Sequence, residues 1–184
     1  MVNVLALSGS LRRASINSAL LRAAARIARP PLRITVFGSL GVLPLFNPDL
    51  EESLPEPVAV LRRAIGAADA LMIASPEYAH GVSGPMKNAL DWLVSDEGFV
   101  AKPVALLNAS PRAHHAHDAL LETLNTMSAR VLREACVVLP LLGSGLDEER
   151  MTRDAATVEA IRDALGHLQA ALAQGAAAGP AFPV

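Results

Sequence analysis

Short apolar runs alternate with amphipathic segments along most of the chain. The runs, each four to six residues long, are apolar on both faces, which is typical of strands buried in a parallel sheet. They cover residues 2–7, 34–37, 70–74, 104–107 and 136–139. Apolar residues at three- and four-residue steps predict helices over residues 17–28, 57–67, 84–95, 117–130 and 154–173. This alternation predicts a doubly wound α/β fold with three layers.

The 184 residues predict one domain, over residues 1–174, followed by a disordered tail over 175–184. The chain carries 16 basic and 18 acidic residues with no long block of one sign, so neither nucleic acid nor an anionic membrane is expected as a partner. No apolar stretch approaches the roughly 18 residues that span a bilayer, and the first residues do not resemble a secretory signal. The single cysteine, Cys136, fits a cytoplasmic location.

The loop after the first strand is rich in groups that bind anions. It carries hydroxyls, an amide and a guanidinium directly before a helix, whose unpaired N-terminal amides attract phosphate. These groups belong to Ser8, Ser10, Arg12, Ser15 and Asn17. The loop lacks the Gly-Lys-Ser/Thr of a P-loop and the third glycine of a dinucleotide fingerprint, which disfavours a nucleoside triphosphate and the usual Rossmann mode of NAD binding. Taken singly, Ser15 or Asn17 is a simple helix cap.

The loop after the third strand predicts a wall for a planar ligand. Pro76 restricts the backbone, Tyr78 offers an aromatic face, and peptide groups of the loop can bind the edge of a heteroaromatic ring. The sequence Ser83-Gly84-Pro85 is also an ordinary helix start, with Pro85 at the first helical position. The two interpretations are compatible.

Three motifs together resemble the NADPH-dependent FMN reductase family of flavodoxin-like proteins. The first is Leu7-Ser8-Gly9-Ser10-Leu11-Arg12 with Ser15 and Asn17. The second is Pro44-Leu45-Phe46-Asn47-Pro48-Asp49-Leu50. The third is Ser75-Pro76-Glu77-Tyr78 leading to Gly84-Pro85-Met86-Lys87-Asn88-Ala89-Leu90-Asp91-Trp92-Leu93. The resemblance is close over residues 4–93 and weaker to about residue 174.

The resemblance implies a flavodoxin-like, five-stranded parallel sheet in the order 2-1-3-4-5 and FMN as the cofactor. It places the FMN phosphate in the first loop and the isoalloxazine ring against Pro76, Glu77 and Tyr78. The chain departs from many members at Ala79 and in the fourth-strand loop, Ala109-Ser110-Pro111-Arg112. The expected cofactor-binding residues are Ser8, Ser10, Leu11, Arg12, Ser15, Asn17, Pro76, Glu77, Tyr78, His80, Gly81 and Ser110.

The expected activity is hydride transfer from NADPH or NADH to FMN, followed by reduction of a second acceptor. That acceptor is a small molecule such as free flavin, a quinone, an azo compound or a metal oxyanion. No side chain is expected to serve as an obligatory acid or base, since the flavin supplies the chemistry. Two alternatives stay open: a flavodoxin-type electron carrier without a nicotinamide site, disfavoured by the near-neutral charge, and a descendant that has lost flavin.

The other candidate groups in the sequence do not indicate a further reactive site. His114, His115 and His117 lack the cysteines or carboxylates that would complete a metal site, so no metal is expected. Cys136 lies in an apolar run, which is typical of an inert core residue. No Gly-x-Ser-x-Gly occurs, which disfavours a serine hydrolase. Residues 147–150 are expected to form a polar loop before the last helix.

The helix predicted over residues 84–95 has an unusually wide apolar surface. On a helical wheel, Met86, Leu90, Trp92, Leu93 and Val94 fall within an arc of about 200°, whereas covering a sheet needs about 100°. This predicts a homodimer, or a dimer of dimers, in which these helices meet with Trp92 near the interface. Deeper burial of the helix within its own subunit is the alternative.

Overall fold

The computed structural model describes residues 1–178 and consists of a parallel sheet with helices on both faces. The sheet strands are β1 (Val2–Ser8), β2 (Leu32–Val36), β3 (Ala70–Ala74), β6 (Pro103–Asn108), β7 (Arg130–Val131) and β8 (Val137–Val138). The two remaining strands, β4 (Glu77–Tyr78) and β5 (Gly81–Val82), form a separate hairpin. The order in the sheet is β2-β1-β3-β6, with β7 and β8 both pairing with β6 on its outer side. The predicted doubly wound fold in the order 2-1-3-4-5 is confirmed, with β7 and β8 sharing the fifth position.

The helices form two layers around that sheet. They are α1 (Ile16–Ile27), α2 (Glu56–Gly66), α3 (Gly84–Asp91), α4 (His114–Thr126), α5 (Glu148–Met151) and α6 (Ala155–Ala178). Alternate residues of β1 point to opposite faces, as the pleat of a strand requires. Val4 and Ala6 pack with α1 and α6, whereas Leu5 and Leu7 pack with α2, α3 and α4. The predicted three-layer arrangement is confirmed.

Predictions near the fifth strand were wrong in detail. The helix predicted to reach residue 130 ends at Thr126, where Ser128 takes φ +60° and the N–H of Ala129 donates to the Leu124 carbonyl. Arg130 then joins the sheet. The strand predicted over 136–139 is reduced to β8, because the 3₁₀ turn Arg133–Ala135 interrupts the edge. Segment 147–150, predicted as a loop, contains the start of α5, since Asp147 caps the helix through the Arg150 N–H.

Helix α6 extends into the predicted C-terminal tail. It continues to Ala178 and so includes residues 175–178 of that tail. Alanine has the highest intrinsic helix propensity, and three alanines follow Gly175. The remaining part of the predicted tail, residues 179–184, lies outside the described residues.

The apolar surface of α3 is buried within the subunit. Trp92, which follows α3, has no exposed surface, and its indole Nε1 donates to the Pro44 carbonyl at 2.8 Å. The Phe46 ring packs edge-on against the Trp92 ring with centroids 5.0 Å apart. Asn88 also donates to the Pro44 carbonyl and accepts from the Phe46 N–H. The Trp92 side chain is therefore buried within its own subunit, the alternative that the sequence left open, because segment 40–46 covers this side of the helix.

Within residues 1–178, none of the helices combines the length and the apolar character needed to cross a membrane.

Candidate functional site

A cleft of about 390 Å³ opens beyond the C-terminal ends of β1, β3 and β6. This is the edge at which open parallel sheets bind ligands, and the volume falls within the usual range for small-molecule sites. The loops after these three strands supply most of the lining. The lining residues are Ser10, Arg12, Ala14, Ser15, Ile16, Asn17, Ser75, Pro76, Glu77, Tyr78, Asn108, Ala109, Ser110, Arg112, Ala113 and Leu142.

The first loop forms the end of the cleft at the N-terminus of α1. Ser15 caps the helix by accepting the Ser18 N–H at 3.2 Å, and both Ser15 and Asn17 are buried. Among residues 1–178, the Asn17 side chain and the N–H groups of Ile16 and Asn17 have no hydrogen-bond partner. Hydroxyl, amide and guanidinium donors therefore converge beside a helix N-terminus with no carboxylate among them, a donor set that fits a phosphate dianion.

Two expected residues of this loop lie outside the cleft lining. The Ser8 hydroxyl is 2.7 Å from the Ser18 hydroxyl and accepts the Ser10 N–H at 3.3 Å, so it orders the loop rather than facing the cleft. The Leu11 side chain lies against Gly41, where an added Cβ would be 3.0 Å from Leu11 Cδ2.

Gly9 brings the first and third loops together. An added Cβ at Gly9 would lie 2.5 Å from Ser75 Oγ and 2.6 Å from Ser83 Oγ. The fully buried Ser83 hydroxyl donates to the Gly9 carbonyl at 2.7 Å and lies 3.1 Å from Ser75 Oγ. The two loops that line opposite parts of the cleft are thus held by a contact that only glycine permits.

We expect Gly9→Ala to destabilise the protein, because both serine hydroxyls must move away from the new methyl group. Overpacking of this kind costs about 1–3 kcal/mol, and each kcal/mol lowers the Tm of a domain of this size by about 2–4 °C. Gly38→Ala is the control, since nothing lies within 4 Å of an added Cβ there. Thermal unfolding that finds the two variants equally stable would contradict this account of Gly9.

The third loop forms the opposite wall through a two-stranded hairpin. Its strands are β4 (Glu77–Tyr78) and β5 (Gly81–Val82), which the sequence did not predict. Pro76, Glu77 and Tyr78 line the cleft, and the Tyr78 side chain is 58% exposed there. His80 and Gly81, also expected at the site, lie outside the lining.

The Glu77 carboxylate connects this hairpin to α4. Its Oε2 accepts the Ala116 N–H at 2.9 Å, and Oε1 lies 3.3 Å from His80 Nδ1. The His80 and His115 rings meet edge to face with centroids 4.3 Å apart, and His114 lies beside His115. Within the described part of the chain, no three metal-ligating side chains converge on a common point.

The electrostatic surroundings of Glu77 favour its charged form. The hydrogen bond from Ala116 is the main cause of a pKa below the usual 4.5, and the nearby His115, His80 and His114 act in the same direction. Partial burial opposes them without reversing the shift. Glu77 therefore carries a negative charge at the N-terminus of α4, where the helix dipole stabilises an anion.

This shift predicts the sign of a pH dependence. A carboxyl whose pKa is lower in the folded state stabilises the protein fully above its unfolded pKa, and this stabilisation is lost as pH falls through the folded pKa. We expect the wild-type protein to be more stable than Glu77→Gln near neutral pH, with the difference shrinking below the usual pKa of 4.5. Urea unfolding across this range is the measurement. A difference that grows as the solution is acidified is incompatible with the assigned contacts.

The fourth loop supplies residues that the sequence did not single out. Ser110, which was expected, is buried and accepts the Arg112 N–H at 3.3 Å. Asn108 orders the loop, since its Oδ1 accepts the Ser110 N–H and its Nδ2 donates to the Ala113 carbonyl. A polar residue ending a buried strand was the available signal for Asn108. Ser75, Arg112 and Leu142 complete the lining, and no sequence pattern pointed to Leu142.

The half-buried thiol of Cys136 plays no part in the cleft. Burial is the main cause of its raised pKa, and its Sγ accepts the Leu106 N–H at 3.3 Å. A raised pKa leaves little thiolate near neutral pH, in agreement with the expected inert role.

Comparison with known proteins agrees with this architecture. The family model for NADPH-dependent FMN reductase matches residues 2–142. An NAD(P)H-dependent FMN reductase of Pseudomonas aeruginosa is 34% identical over 174 residues, covering 91% of this chain and 94% of that protein. An NADPH:quinone oxidoreductase of Arabidopsis thaliana is 42% identical over 114 residues, covering 59% of this chain and 58% of that protein.

A solved structure has the same fold. The flavoenzyme NAD(P)H:(acceptor) oxidoreductase FerB of Paracoccus denitrificans superposes with a TM-score of 0.73 at 24% identity, covering 92% of this chain and 98% of that one. Two findings lead to one assignment. The family model matches most of the chain, and the Pseudomonas protein is similar over nearly its full length. The chain belongs to the NADPH-dependent FMN reductase family, whose members are flavoprotein oxidoreductases that use FMN and NAD(P)H.

Proposed function

We propose that this chain catalyses hydride transfer from NADPH or NADH to FMN bound in the cleft, and then reduction of a quinone-type acceptor. The observation that carries the proposal is the composition of the cleft at the switch point of the sheet. One end collects phosphate-binding groups, and the other end presents an exposed aromatic side chain on a hairpin. A flavin mononucleotide likewise has a phosphate at one end and an aromatic ring at the other.

The first loop is assigned to the phosphate. Ser10, Arg12, Ser15 and Asn17 would hold it together with the free N–H groups at the start of α1. One guanidinium would offset half of the charge of the phosphate dianion, and neutral donors with the positive end of the α1 dipole would stabilise the rest.

The hairpin and the fourth loop are assigned to the ring. Pro76 and Tyr78 would cover one side of the isoalloxazine, and Ser110 with Asn108 would lie toward its other edge. When bound, FMN supplies the hydride-accepting N5 and the capacity to pass electrons on. The chain's own contribution is to orient the ring and the incoming nicotinamide, and no side chain is required as a proton donor.

A quinone is the favoured acceptor because the rim of the cleft suits a flat, apolar molecule. Tyr78 and Leu142 both line the cleft, and each residue is more than half exposed. Relatives named as quinone reductases occur in Arabidopsis thaliana and Escherichia coli. Free flavin, azo compounds and metal oxyanions are the competing small-molecule acceptors.

A steady-state acceptor panel tests this choice. FMN-loaded protein at fixed NADPH is assayed with a benzoquinone, an azo dye, chromate and free FMN, and the same panel is run on Tyr78→Ala. We expect the quinone to give the highest kcat/KM, a ping-pong pattern, and a higher quinone KM in the variant. If the FMN-loaded protein oxidises NADPH with none of these acceptors and not with oxygen, the chain is better described as an electron carrier.

We also infer a homodimer, or a dimer of dimers. The argument rests on exposed apolar residues and no longer on Trp92, which is buried within the subunit. Leu11, Val42, Leu45 and Val94 are apolar and more than half exposed. They belong to segments that contact one another, since Leu11 meets Gly41 and Phe46 bonds to Asn88. Light scattering that gives the 19.2 kDa of one chain would contradict this inference.

A cytoplasmic location is inferred from the lone, half-buried thiol of Cys136.

A further inference from the structure

Glu77 lines the cleft, and its carboxylate contacts both helix α4 and the turn of its own hairpin. From its place in β4 it accepts the N–H of Ala116 in the first turn of α4, and its second oxygen faces His80 across the hairpin turn. Its side chain is only 14% exposed. One carboxylate therefore joins the hairpin to the helix that begins directly after the fourth loop.

The hairpin turn has a backbone conformation that needs support. Ala79 and His80, its two central residues, have φ values of +49° and +59°. Tight hairpins use this left-handed pair, but they favour asparagine, aspartate and glycine there because a Cβ is strained at positive φ. Neither residue here relieves that strain, and two-stranded hairpins are only marginally stable by themselves. Contacts outside the turn must stabilise it.

The Glu77 contacts provide that support and act on both walls of the cleft. Pro76 and Tyr78 flank Glu77 on one wall, while Ala116 follows the loop that carries Ser110 and Arg112 on the other. The hairpin packs against α4 along both of its strands. Loss of the carboxylate would release the two walls from each other without touching the first loop.

We propose that Glu77 is a positioning residue that holds the 77–82 hairpin against the N-terminus of α4 and so sets the width of the ring-binding end of the cleft. This assigns Glu77 a role through Ala116 and His80 in place of the direct cofactor contact expected from sequence. The part of the test that uses flavin rests on the proposed function, whereas hydrogen exchange of the protein without flavin does not.

Hydrogen exchange of the flavin-free protein comes first, comparing wild type, Glu77→Ala, Glu77→Gln and the control Glu56→Gln. Glu56 forms an exposed ion pair with Arg63, and neither residue lines the cleft. We expect exchange of the hairpin and of the Ala116 amide to rise about ten-fold or more in Glu77→Ala and by a smaller factor in Glu77→Gln, which keeps an acceptor oxygen but loses the charge. Protection that stays at the wild-type level in Glu77→Ala overturns the proposal.

Flavin affinity then separates positioning from stability alone. Because the first loop is untouched, FMN and riboflavin are expected to lose affinity for Glu77→Ala by the same factor, about ten-fold, with a changed absorption band shape of the bound flavin. A role in stability alone would lower the Tm and leave both the band shape and the affinities of the folded protein unchanged. If the wild-type protein itself binds no flavin, the proposed function fails, and the exchange result still decides the role of Glu77.

A second-site variant provides the sharpest control. Ala79→Gly removes the steric strain at positive φ without adding a side chain that could bind flavin. We expect Ala79→Gly to restore part of the flavin affinity and hairpin protection lost in Glu77→Ala. If Glu77 acted by direct contact with the ring, glycine at position 79 would restore nothing, and the proposal would be wrong.

Discussion

Replacing Arg12 with alanine is expected to weaken FMN binding by about ten-fold or more and to leave riboflavin binding nearly unchanged. Arg12 is the one cation among the phosphate-binding groups of the first loop, and it lines the cleft. A charge-assisted hydrogen bond to phosphate is worth about 1.5–3 kcal/mol, which sets the size of the effect. Riboflavin has no phosphate, so its affinity does not depend on this hydrogen bond.

Arg13 offers a matched control for this measurement. It is the next residue, it is exposed, and it does not line the cleft. Fluorescence titration of FMN and riboflavin into Arg12→Ala and Arg13→Ala separates a specific contact from a general change in surface charge. An equal loss of FMN affinity in the two variants, or a parallel loss of riboflavin affinity in Arg12→Ala, would show that the phosphate lies elsewhere.

Trp92→Glu is expected to unfold the protein rather than to produce folded monomers. The indole is fully buried, donates to the Pro44 carbonyl and packs on Phe46, so glutamate would place a charge in an apolar site and leave a cavity. Such a change costs about 4 kcal/mol or more, a large share of the stability of an ordinary domain. Far-UV circular dichroism and thermal unfolding are the measurements.

Val94→Glu separates burial in the subunit from burial at an interface. Val94 lies two residues further along and is 68% exposed, so in a monomer its replacement should change stability by no more than about 0.5 kcal/mol. A Trp92→Glu protein that stays folded, with the wild-type Tm and half the wild-type mass, would support the interface that the helical wheel predicted and contradict the packing described above.

The sheet was predictable because each central strand is apolar on both faces. β3 matched the prediction at both ends, β1 is longer by one residue at one end, and β6 is longer by one residue at each end. The fifth strand was not predictable in the same way, because an edge strand is defined by its pairing with β6. The turn at Arg133–Ala135 that interrupts this strand has no strong sequence signal. The strand order came from the family resemblance and not from the apolar pattern.

The helical wheel of α3 left open whether its apolar surface is buried within the subunit or at an interface. A wheel measures the width of an apolar surface, but it does not identify what covers that surface. Segment 40–46 has no regular apolar period, yet it packs over Trp92 through Phe46 and the Pro44 carbonyl. Local periodicity cannot reveal a contact between residues 48 positions apart.

Some of the residues expected at the candidate site line the cleft and others do not. Residues next to a strand end or a helix start, such as Ser10, Asn17 and Pro76, fall in the cleft lining as the loop positions suggested. Ser8, Leu11, His80 and Gly81 do not, because their directions depend on the local turn rather than on position in the sequence. The contact between Glu77 and Ala116 spans 39 residues and appears only once the hairpin and α4 are placed together.

Anaerobic mixing of FMN-loaded protein with NADPH, followed by the loss of flavin absorbance, tests the central claim most directly. We predict complete bleaching at a rate that saturates with NADPH concentration, and recovery of the absorbance when a quinone is added. The same experiment on Arg12→Ala should reach a similar limiting rate once FMN is saturating, since Arg12 is assigned to binding and not to hydride transfer. A protein that holds FMN but is not bleached by NADPH or NADH would contradict the assignment of this cleft to a reductase.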